Sequence, residues 1–353
     1  MYDICIIGGG IAGLNLSRLC SSDYKTLLID KRAICTQNNM ISQGKLCGGL
    51  LAPDAQKEFA VQGLSIPVSV LIDPQIFAVK AVDLASKNEA VYQRFYINTD
   101  RARLDRWLFS LSQGKADIIE NAVVKNIEKC EGYYTIIFNK NGKDQKVKCK
   151  IPVGADGAVS KIFRLNKNKQ IPKYISVQGA FEAKNPYFMY YSFFDKRLTD
   201  FYGWVIPKGD CIIAGFAVSE KDYRNNSFDS YISKIREYGI ETGPGINIRS
   251  TLIARPSLYG MPCPVSGGIP LIGEAGGFMS SSSAEGISYA LKTSYSLYEA
   301  IVKDEINFCK IYEQSVRKII LNIYGKIIKS SVYYQPFLRN LAMKSKINTI
   351  KIK

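Results

Sequence analysis

The first 30 residues have the hydrophobic pattern of a strand, a glycine turn, a helix and a second strand. Residues 4–7 form a short apolar run typical of a buried parallel strand, and three glycines at 8–10 end it. Apolar residues then recur at helical spacing from residue 11 to residue 20, and the segment 26–29 is apolar again. The pattern predicts that the chain begins with an α/β domain built on a parallel sheet.

The rest of the chain divides into a β-rich middle and a helical end. Short apolar runs and brief alternation indicate strands over 68–98 and 118–138, with a helix over 105–112 between them. The segment 188–218 is rich in aromatic residues, as in a sheet that faces a large ligand, and the pattern after residue 284 is helical. We therefore predict the α/β class, with a Rossmann-like domain built from separated segments, an interleaved β-rich domain and a helical C-terminus. The predicted bounds are 1–66, 97–170 and 256–300 for the first domain, 67–96 and 171–255 for the second, and 301–353 for the C-terminal segment.

The composition of the chain excludes several classes of site. Its 353 residues include 47 Lys and Arg against 31 Asp and Glu, and the net charge of +16 favours an anionic partner such as a phosphate-bearing ligand, an acidic membrane or nucleic acid. There is no histidine, which excludes a Ser-His-Asp triad and a histidine-zinc site, and we expect no metal. The nine cysteines have no CxxC spacing, which predicts reduced cytosolic thiols rather than disulfides.

Membrane contact is predicted only at the surface. The N-terminus lacks a basic signal-peptide start, and no uncharged apolar run reaches the roughly 20 residues of a spanning helix. Residues 314–353 contain nine Lys or Arg and no acid, and apolar residues at 316, 319, 320, 323 and 327 recur at helical spacing. This fits a helix on an anionic membrane face, with a solvated helix covering the core as the alternative. We expect a cytoplasmic protein, either free or peripheral to the inner face of the cell membrane; no nucleic-acid module is recognisable.

A dinucleotide fingerprint follows the first predicted strand. Gly8, Gly10 and Gly13 form GxGxxG between strand and helix, and Asp30 ends the second strand. The glycines permit a tight turn, close approach of a diphosphate and close helix packing, while the helix N-terminus offers unpaired N–H groups. Asp30 can accept hydrogen bonds from ribose hydroxyls, which favours FAD or NAD over NADP.

Two later motifs favour a flavin. The segment 154–160 (GADGAVS) carries Asp156 in a turn after an apolar strand end. The segment 270–278 (PLIGEAGGF) combines a strand, a glycine turn and Glu274, whose carboxylate could hold ribitol hydroxyls. Gly286 begins the next helix, and its positive dipole end would stabilise an anionic reduced flavin.

Together these motifs resemble the FAD-binding set of the aromatic hydroxylase-like flavoproteins, and most of all their geranylgeranyl reductase-like branch. The segment 45–50 (KLCGGL) resembles the K-P-C-G-G motif of that branch, and 202–208 (YGWVIPK) resembles its Y-x-W-x-F-P motif. Three residues depart from the family pattern: Glu274 replaces Asp, Leu46 replaces Pro, and Ile206 replaces Phe. The last change makes the segment also resemble the W-x-W-x-I-P motif of flavin halogenases.

The resemblance implies that FAD is the cofactor, that the Rossmann-like domain binds it and that the β-rich domain binds substrate. In this family the glycine loop would hold the diphosphate, and the end of the second strand and the Val124 backbone would contact the adenosine. Asp156 and Glu274 would flank the diphosphate–ribitol portion. Gly286 and Ile287 would face the isoalloxazine. The cofactor-binding residues expected are Gly8, Gly10, Ile11, Ala12, Gly13, Asp30, Lys31, Arg32, Lys45, Gly48, Arg101, Val124, Asp156, Glu274, Gly286 and Ile287.

Three functions are compatible with these residues. The first is a reductase that transfers hydride from reduced flavin to a carbon–carbon double bond of a hydrophobic, prenyl-like lipid substrate, with electrons from a transiently bound nicotinamide or a ferredoxin. With no histidine, Cys47 is the candidate proton donor, and Tyr202 and Trp204 would line the cavity; their alternative roles are in packing. The second is a monooxygenase or halogenase, since this fold hosts both chemistries. The third is a non-catalytic, flavin-carrying protein of the membrane surface.

Overall fold

The computed structural model describes residues 1–34, 45–165, 170–223 and 227–351. The strands, in chain order, are β1 (Tyr2–Ile7), β2 (Thr26–Ile29), β3 (Leu50–Leu51), β4 (Ile76–Asp83), β5 (Asn88–Asn98), β6 (Asp117–Ile119), β7 (Ala122–Lys129), β8 (Tyr134–Lys140), β9 (Lys143–Gly154), β10 (Lys173–Ala183), β11 (Tyr190–Phe194), β12 (Gly203–Lys208), β13 (Cys211–Ser219), β14 (Thr242–Ala254), β15 (Val265–Ser266) and β16 (Ile269–Pro270). The α-helices are α1 (Ile11–Cys20), α2 (Pro53–Val61), α3 (Arg101–Ser110), α4 (Phe228–Glu237), α5 (Ile287–Lys303), α6 (Phe308–Ser315), α7 (Arg317–Tyr333) and α8 (Pro336–Lys344).

The first sheet has the strand order β6-β2-β1-β9-β8-β7 and carries the glycine loop. Its strands β6, β2, β1 and β9 are parallel, while β8 and β7 continue it as antiparallel strands. Ile4 and Ile6 pack under α1 and α5, whereas Cys5 and Ile7 pack on the opposite face against Ile136. The apolar run at 4–7 is therefore buried on both faces, as a parallel strand requires.

The second sheet has the order β14-β10-β13-β12-β11-β4-β5-β3 and is mostly antiparallel. Phe216 on one face packs against Tyr231 of α4, while Tyr202 and Trp204 belong to a cluster on the other face. The short strand β3 and the end of β5 belong to this sheet, although the predicted bounds give them to the first domain. The α/β class is confirmed, while the domain bounds remain predictions.

The helix expected over 105–112 begins four residues earlier. The Asp100 carboxylate accepts hydrogen bonds from the backbone N–H groups of Ala102 and Arg103, at 2.8 and 3.0 Å, and so caps α3. This earlier start places Arg101 in the first turn, one helical turn before Asp105.

The apolar face predicted to lie on a membrane packs on the protein itself. Val316, Ile323 and Ile327 are buried in the core under the first sheet, with Ile319 and Ile320 packed against them. The alternative interpretation, a helix that covers the core, is therefore correct for this face. No helix within the described residues combines the length and the hydropathy needed to cross a bilayer.

Candidate cofactor and substrate cleft

A cavity of about 630 Å³ lies between the two sheets. The glycine loop, the segment 45–50 and the segment 282–288 form one part of its wall. Aromatic side chains of the second sheet, together with residues of α7, form the rest. The cavity therefore joins the predicted cofactor side to the predicted substrate side without a partition.

The glycine loop leaves room for a bound group at one position only. A Cβ atom at Gly13 would lie 1.9 Å from the backbone oxygen of Gly8, and one at Gly8, whose φ is +113°, would lie 2.3 Å from that of Ala155. A Cβ at Gly10 would meet nothing within 4 Å, and Gly10 lines the cavity as the uncapped N-terminus of α1. An open, uncapped helix N-terminus fits a diphosphate.

Asp30 connects the glycine loop to the end of β2. Its carboxylate is buried and accepts hydrogen bonds from the backbone N–H of Gly9 at 2.5 Å and of Arg32 at 2.7 Å. The Arg32 guanidinium also contacts Asp30, at 3.0 Å, while Lys31 is exposed. The Val124 carbonyl accepts a hydrogen bond from Lys161 Nζ at 2.8 Å. These residues, predicted to contact adenosine, lie outside the cavity wall.

Two acids lie at the cleft, Glu274 in its wall and Asp156 between the wall residues Ala155 and Gly157. Glu274 lines the cavity, accepts a hydrogen bond from the Ala254 N–H at 3.0 Å and forms an ion pair with Lys45 at 3.4 Å. Asp156 Oδ2 accepts from the Lys161 N–H at 2.9 Å, while its Oδ1 is buried with no hydrogen-bond partner in the described chain. Burial raises the pKa of Asp156. A buried acceptor without a partner fits a hydroxyl group supplied by a ligand.

Cys47 lies beside a buried arginine. The Arg101 guanidinium is 3 % exposed, pairs with Asp105 Oδ1 at 2.9 Å and interacts with the Cys47 side chain. Burial opposes its charge, but Asp105 and Cys47 more than offset that effect and raise the pKa of Arg101. Arg32 approaches the other oxygen of Asp105, at 3.9 Å. Arg32, Asp105 and Arg101 therefore link Asp30 to Cys47 through successive side-chain contacts.

A buried lysine supports the same loop from the second sheet. Lys208 Nζ donates hydrogen bonds to Asn98 Oδ1 at 2.5 Å and to the Thr99 carbonyl at 2.9 Å. Thr99 in turn donates to the Gly49 carbonyl through its N–H and its hydroxyl, at 3.0 and 2.7 Å. Burial lowers the pKa of Lys208 to about 7, while interactions with Cys47 and Asp100 act in the opposite direction. The sequence analysis missed Lys208, although it directly follows the 202–207 motif.

The substrate-side wall is aromatic and well anchored. Tyr202 donates a hydrogen bond to the Ser283 carbonyl at 2.7 Å, and Trp204 Nε1 donates to Gln178 Oε1 at 3.0 Å. Tyr96 donates to Glu285 at 2.9 Å, and burial raises the pKa of this carboxyl. Gly286 is the N-cap of α5 without a side-chain cap, so a second bare helix N-terminus lies at the cavity wall.

The structure brings most, but not all, of the predicted residues to one cavity. Gly8 and Gly13 support the loop from behind, and the adenosine group and Asp156 lie outside the wall. Charged residues that the motifs did not indicate also line it, namely Glu285, Arg94, Lys326 and Lys329. The predicted residues that line it are Gly10, Ile11, Ala12, Lys45, Cys47, Gly48, Arg101, Tyr202, Trp204, Glu274, Gly286 and Ile287. Their individual roles remain predictions.

No protein-family model matches the chain. The chain is 36 % identical to Protein CbrA of Escherichia coli O9:H4 (strain HS) over 346 residues, which cover 98 % of this chain and 93 % of that protein. Protein CbrA of Shigella sonnei is equally similar, at 36 % identity over 98 % of this chain and 96 % of its own length. CbrA is also the bacterial protein that the segments 45–56 and 273–291 resemble.

Solved structures share the fold at low sequence identity. A geranylgeranyl bacteriochlorophyll reductase-like protein from Thermoplasma acidophilum has a TM-score of 0.83 and 17 % identity, over 99 % of this chain and 92 % of its own. A triple mutant of the flavin-dependent brominase Bmp2 has a TM-score of 0.69 and 17 % identity, over 98 % of both chains. PqsL, a probable FAD-dependent monooxygenase from Pseudomonas aeruginosa, has a TM-score of 0.68 and 12 % identity, over 99 % of this chain and 100 % of its own. The predicted flavoprotein fold is confirmed, and FAD is the cofactor that this fold and the residues of the cleft fit.

Proposed function

The chain belongs to the CbrA family, and from this membership and the cleft we propose that it is an FAD-dependent reductase of a carbon–carbon double bond in a hydrophobic, prenyl-like substrate. The observation that carries the proposal is the continuous cavity, with cofactor motifs on one side, an aromatic wall on the other, and Cys47 on the wall that joins them. The likeness to the Thermoplasma protein, which is described as geranylgeranyl bacteriochlorophyll reductase-like, supports it.

The residues of the cleft have distinct tasks in this proposal. FAD, when bound and reduced, supplies the hydride. The bare N-termini of α1 and α5 bind the diphosphate and stabilise negative charge on the flavin, respectively. Lys45 and Glu274 orient the part of FAD that lies between the diphosphate and the flavin ring.

Proton delivery falls to Cys47. Its Sγ gives the proton that completes reduction of the double bond, and a proton from solvent restores the thiol. Arg101 and Lys208 carry positive charge beside Cys47, so they stabilise the thiolate left after transfer. Neither cation needs to touch the substrate for this, so both are positioning residues.

The apolar part of the substrate lies along the second sheet. Tyr202, Trp204 and Tyr190 present ring surfaces to the cavity, and their polar atoms are occupied elsewhere in the protein. Such a wall favours hydrophobic chains and offers few partners to a polar substrate. A transiently bound nicotinamide or a ferredoxin would supply the electrons.

A second candidate, a monooxygenase or halogenase, has one residue in its favour. Ile206 gives the 202–207 segment its halogenase-like form, and it lines the cavity. The same fold occurs in the brominase and in PqsL. Fold alone does not separate these chemistries.

The deciding experiment divides dithionite-reduced protein into two samples. One is kept anaerobic with geranylgeraniol, and its products are analysed by mass spectrometry for the addition of pairs of hydrogen atoms. The other is mixed with oxygen, the same lipid and bromide, and its products are searched for added oxygen or bromine. Hydrogenation in the first sample supports the reductase, whereas products in the second sample alone would replace it with the oxygenase or halogenase.

Cys47→Ala tests the proton donor. It should slow oxidation of reduced flavin by the lipid at least ten-fold, while chemical reduction of the flavin is unchanged. Cys130→Ala, in the turn between β7 and β8, is the matched control and should behave as wild type. Equal loss of both steps in Cys47→Ala, or loss of neither, would remove Cys47 from the donor role.

A further inference from the structure

The outward face of α7 is apolar although no described part of the chain covers it. Leu321, Tyr324, Ile328 and Val332 are 68, 44, 51 and 51 % exposed, respectively. At about 100° per residue these four positions fall within an arc of about 80°. They lie opposite Ile323 and Ile327, the positions that face the core, so α7 is apolar on two faces and only one is covered. Isolated exposed apolar residues are common, but a continuous stripe on one helix face indicates an interaction surface.

The next helix also exposes apolar residues. Phe337 and Leu341 of α8 are 78 and 59 % exposed and lie one helical turn apart. Arg339 points the other way, because its guanidinium is buried against Asp83 of β4 at 2.6 Å. The ion pair holds α8 with its apolar side toward solvent.

Positive charge borders the stripe. Arg317 lies at its N-terminal end, and Lys318 and Lys329 lie along one flank, about 80–100° from its centre. Lys329 and Lys326 also line the cavity, together with Arg94 of β5. Burial, with the nearby charges of Lys326 and Arg94, lowers the pKa of Lys329, so these three cations are close together. None of the three forms an ion pair with a residue in the described ranges.

The C-terminal segment itself contributes no acid to this surface. The segment 314–353 contains nine Lys or Arg and no Asp or Glu. On the cavity side of α7, Glu285 is half-buried, accepts a hydrogen bond from Tyr96 and interacts electrostatically with Lys326 and Lys329. A partner for this surface must therefore offer both negatively charged groups and an apolar interior. A bilayer with anionic phospholipids offers both over a broad area, since head groups meet the cations and acyl chains meet the stripe.

We propose that the outward face of α7, together with the exposed apolar side of α8, docks on an anionic lipid bilayer, with Arg317, Lys318 and Lys329 at the lipid head groups. This face is different from the apolar face that the sequence pattern indicates. The proposal does not depend on the reaction, because it concerns where the protein lies rather than what the flavin reduces.

The test is flotation of the purified holoprotein with vesicles of phosphatidylcholine, with and without phosphatidylglycerol. Wild type should float with the anionic vesicles and much less with the neutral ones. Each cation near an anionic surface strengthens binding about five-fold, so Lys318→Gln/Lys329→Gln should bind about 25-fold more weakly. Lys143→Gln/Lys146→Gln, two exposed lysines of the β8–β9 hairpin, is the matched control and should bind as wild type.

The apolar contribution is tested separately. Leu321→Ser/Ile328→Ser should reduce flotation at least ten-fold, whereas Tyr259→Ser/Ile306→Ser, at positions 99 and 89 % exposed, should not. Flavin content and thermal unfolding of each variant verify that it is folded. Absence of wild-type flotation, or equal binding by the stripe variant and its control, would overturn the proposal, whatever the outcome of the hydrogenation experiment.

Discussion

Lys208 titrates near neutral pH, and this should be visible in the stability of the protein. Burial lowers the pKa of its ammonium group from 10.5 to about 7. Between these two values the unfolded chain binds a proton that the folded chain does not, so stability rises with pH through this window. Below pH 7 the cost of the buried charge is present in full. At 1.36 kcal/mol per pKa unit, Lys208 should make the protein about 2 kcal/mol more stable at pH 9 than at pH 7.

The assay is urea denaturation of wild type and Lys208→Met at pH 7, 8 and 9, followed by tryptophan fluorescence. The difference in free energy of unfolding between the two proteins isolates Lys208, because every other group titrates in both. Wild type should gain about 2 kcal/mol relative to the variant from pH 7 to pH 9. Lys146→Met, at an exposed position of β9, should follow wild type.

A difference that stays constant with pH would refute the reasoning, because it would mean that Lys208 keeps an ordinary pKa despite its burial. The rate of flavin oxidation by substrate gives a second readout. We expect an inflection near pH 7 in wild type and none in Lys208→Met, since the charge beside Cys47 would no longer titrate. Lys208→Arg, whose charge is permanent, should abolish the inflection as well.

Other predictions separate cofactor binding from folding and test the anchor of the C-terminal helices. Gly10→Ala should lower FAD content without lowering the stability of the apoprotein, because its methyl group meets only open space; Gly13→Ala should destabilise the apoprotein, because its methyl group meets a backbone oxygen at 1.9 Å. Equal thermal unfolding of the two apoproteins would contradict this. Arg339→Met should cost about 3–5 kcal/mol in urea denaturation, because it leaves the buried carboxylate of Asp83 unpaired. Lys125→Met, which breaks an exposed pair, should leave the free energy of unfolding nearly unchanged.

The parts of the cleft that depend on local geometry could be predicted from the sequence. The glycine loop is one example, since strand, turn and helix follow each other and the spacing of Gly8, Gly10 and Gly13 is set by one turn of backbone. The order of the later motifs also sufficed to bring Glu274 and Gly286 to the same cavity. Such features can be predicted because they depend on few contacts between residues that are distant in the sequence.

Features that depend on tertiary packing could not be predicted. On α7, the residues at 316, 323 and 327 and those at 321, 324 and 328 are both apolar sets at helical spacing. Hydrophobicity alone does not say which set faces the core; packing in the cluster that contains α5 and α6 decides it. The proximity of Lys208 to Cys47 has the same origin, because it depends on contacts between Lys208 of β12 and residues at the end of β5, which are 109 and 110 positions away in the sequence.

Because the chain has no histidine, Lys208 is a candidate for the group that gains and loses a proton near neutral pH. Histidine is the side chain whose ordinary pKa lies near neutral, so a chain without it lacks the usual group for moving protons at physiological pH. Burial brings a lysine into the same range, and two hydrogen bonds to Asn98 and Thr99 fix it behind the Cys47 loop. Loss of its proton removes one of the two positive charges beside Cys47 and leaves that of Arg101. If Cys47 is the proton donor, its thiolate is therefore best stabilised below pH 7, and the rate of substrate reduction should fall as pH rises through that value.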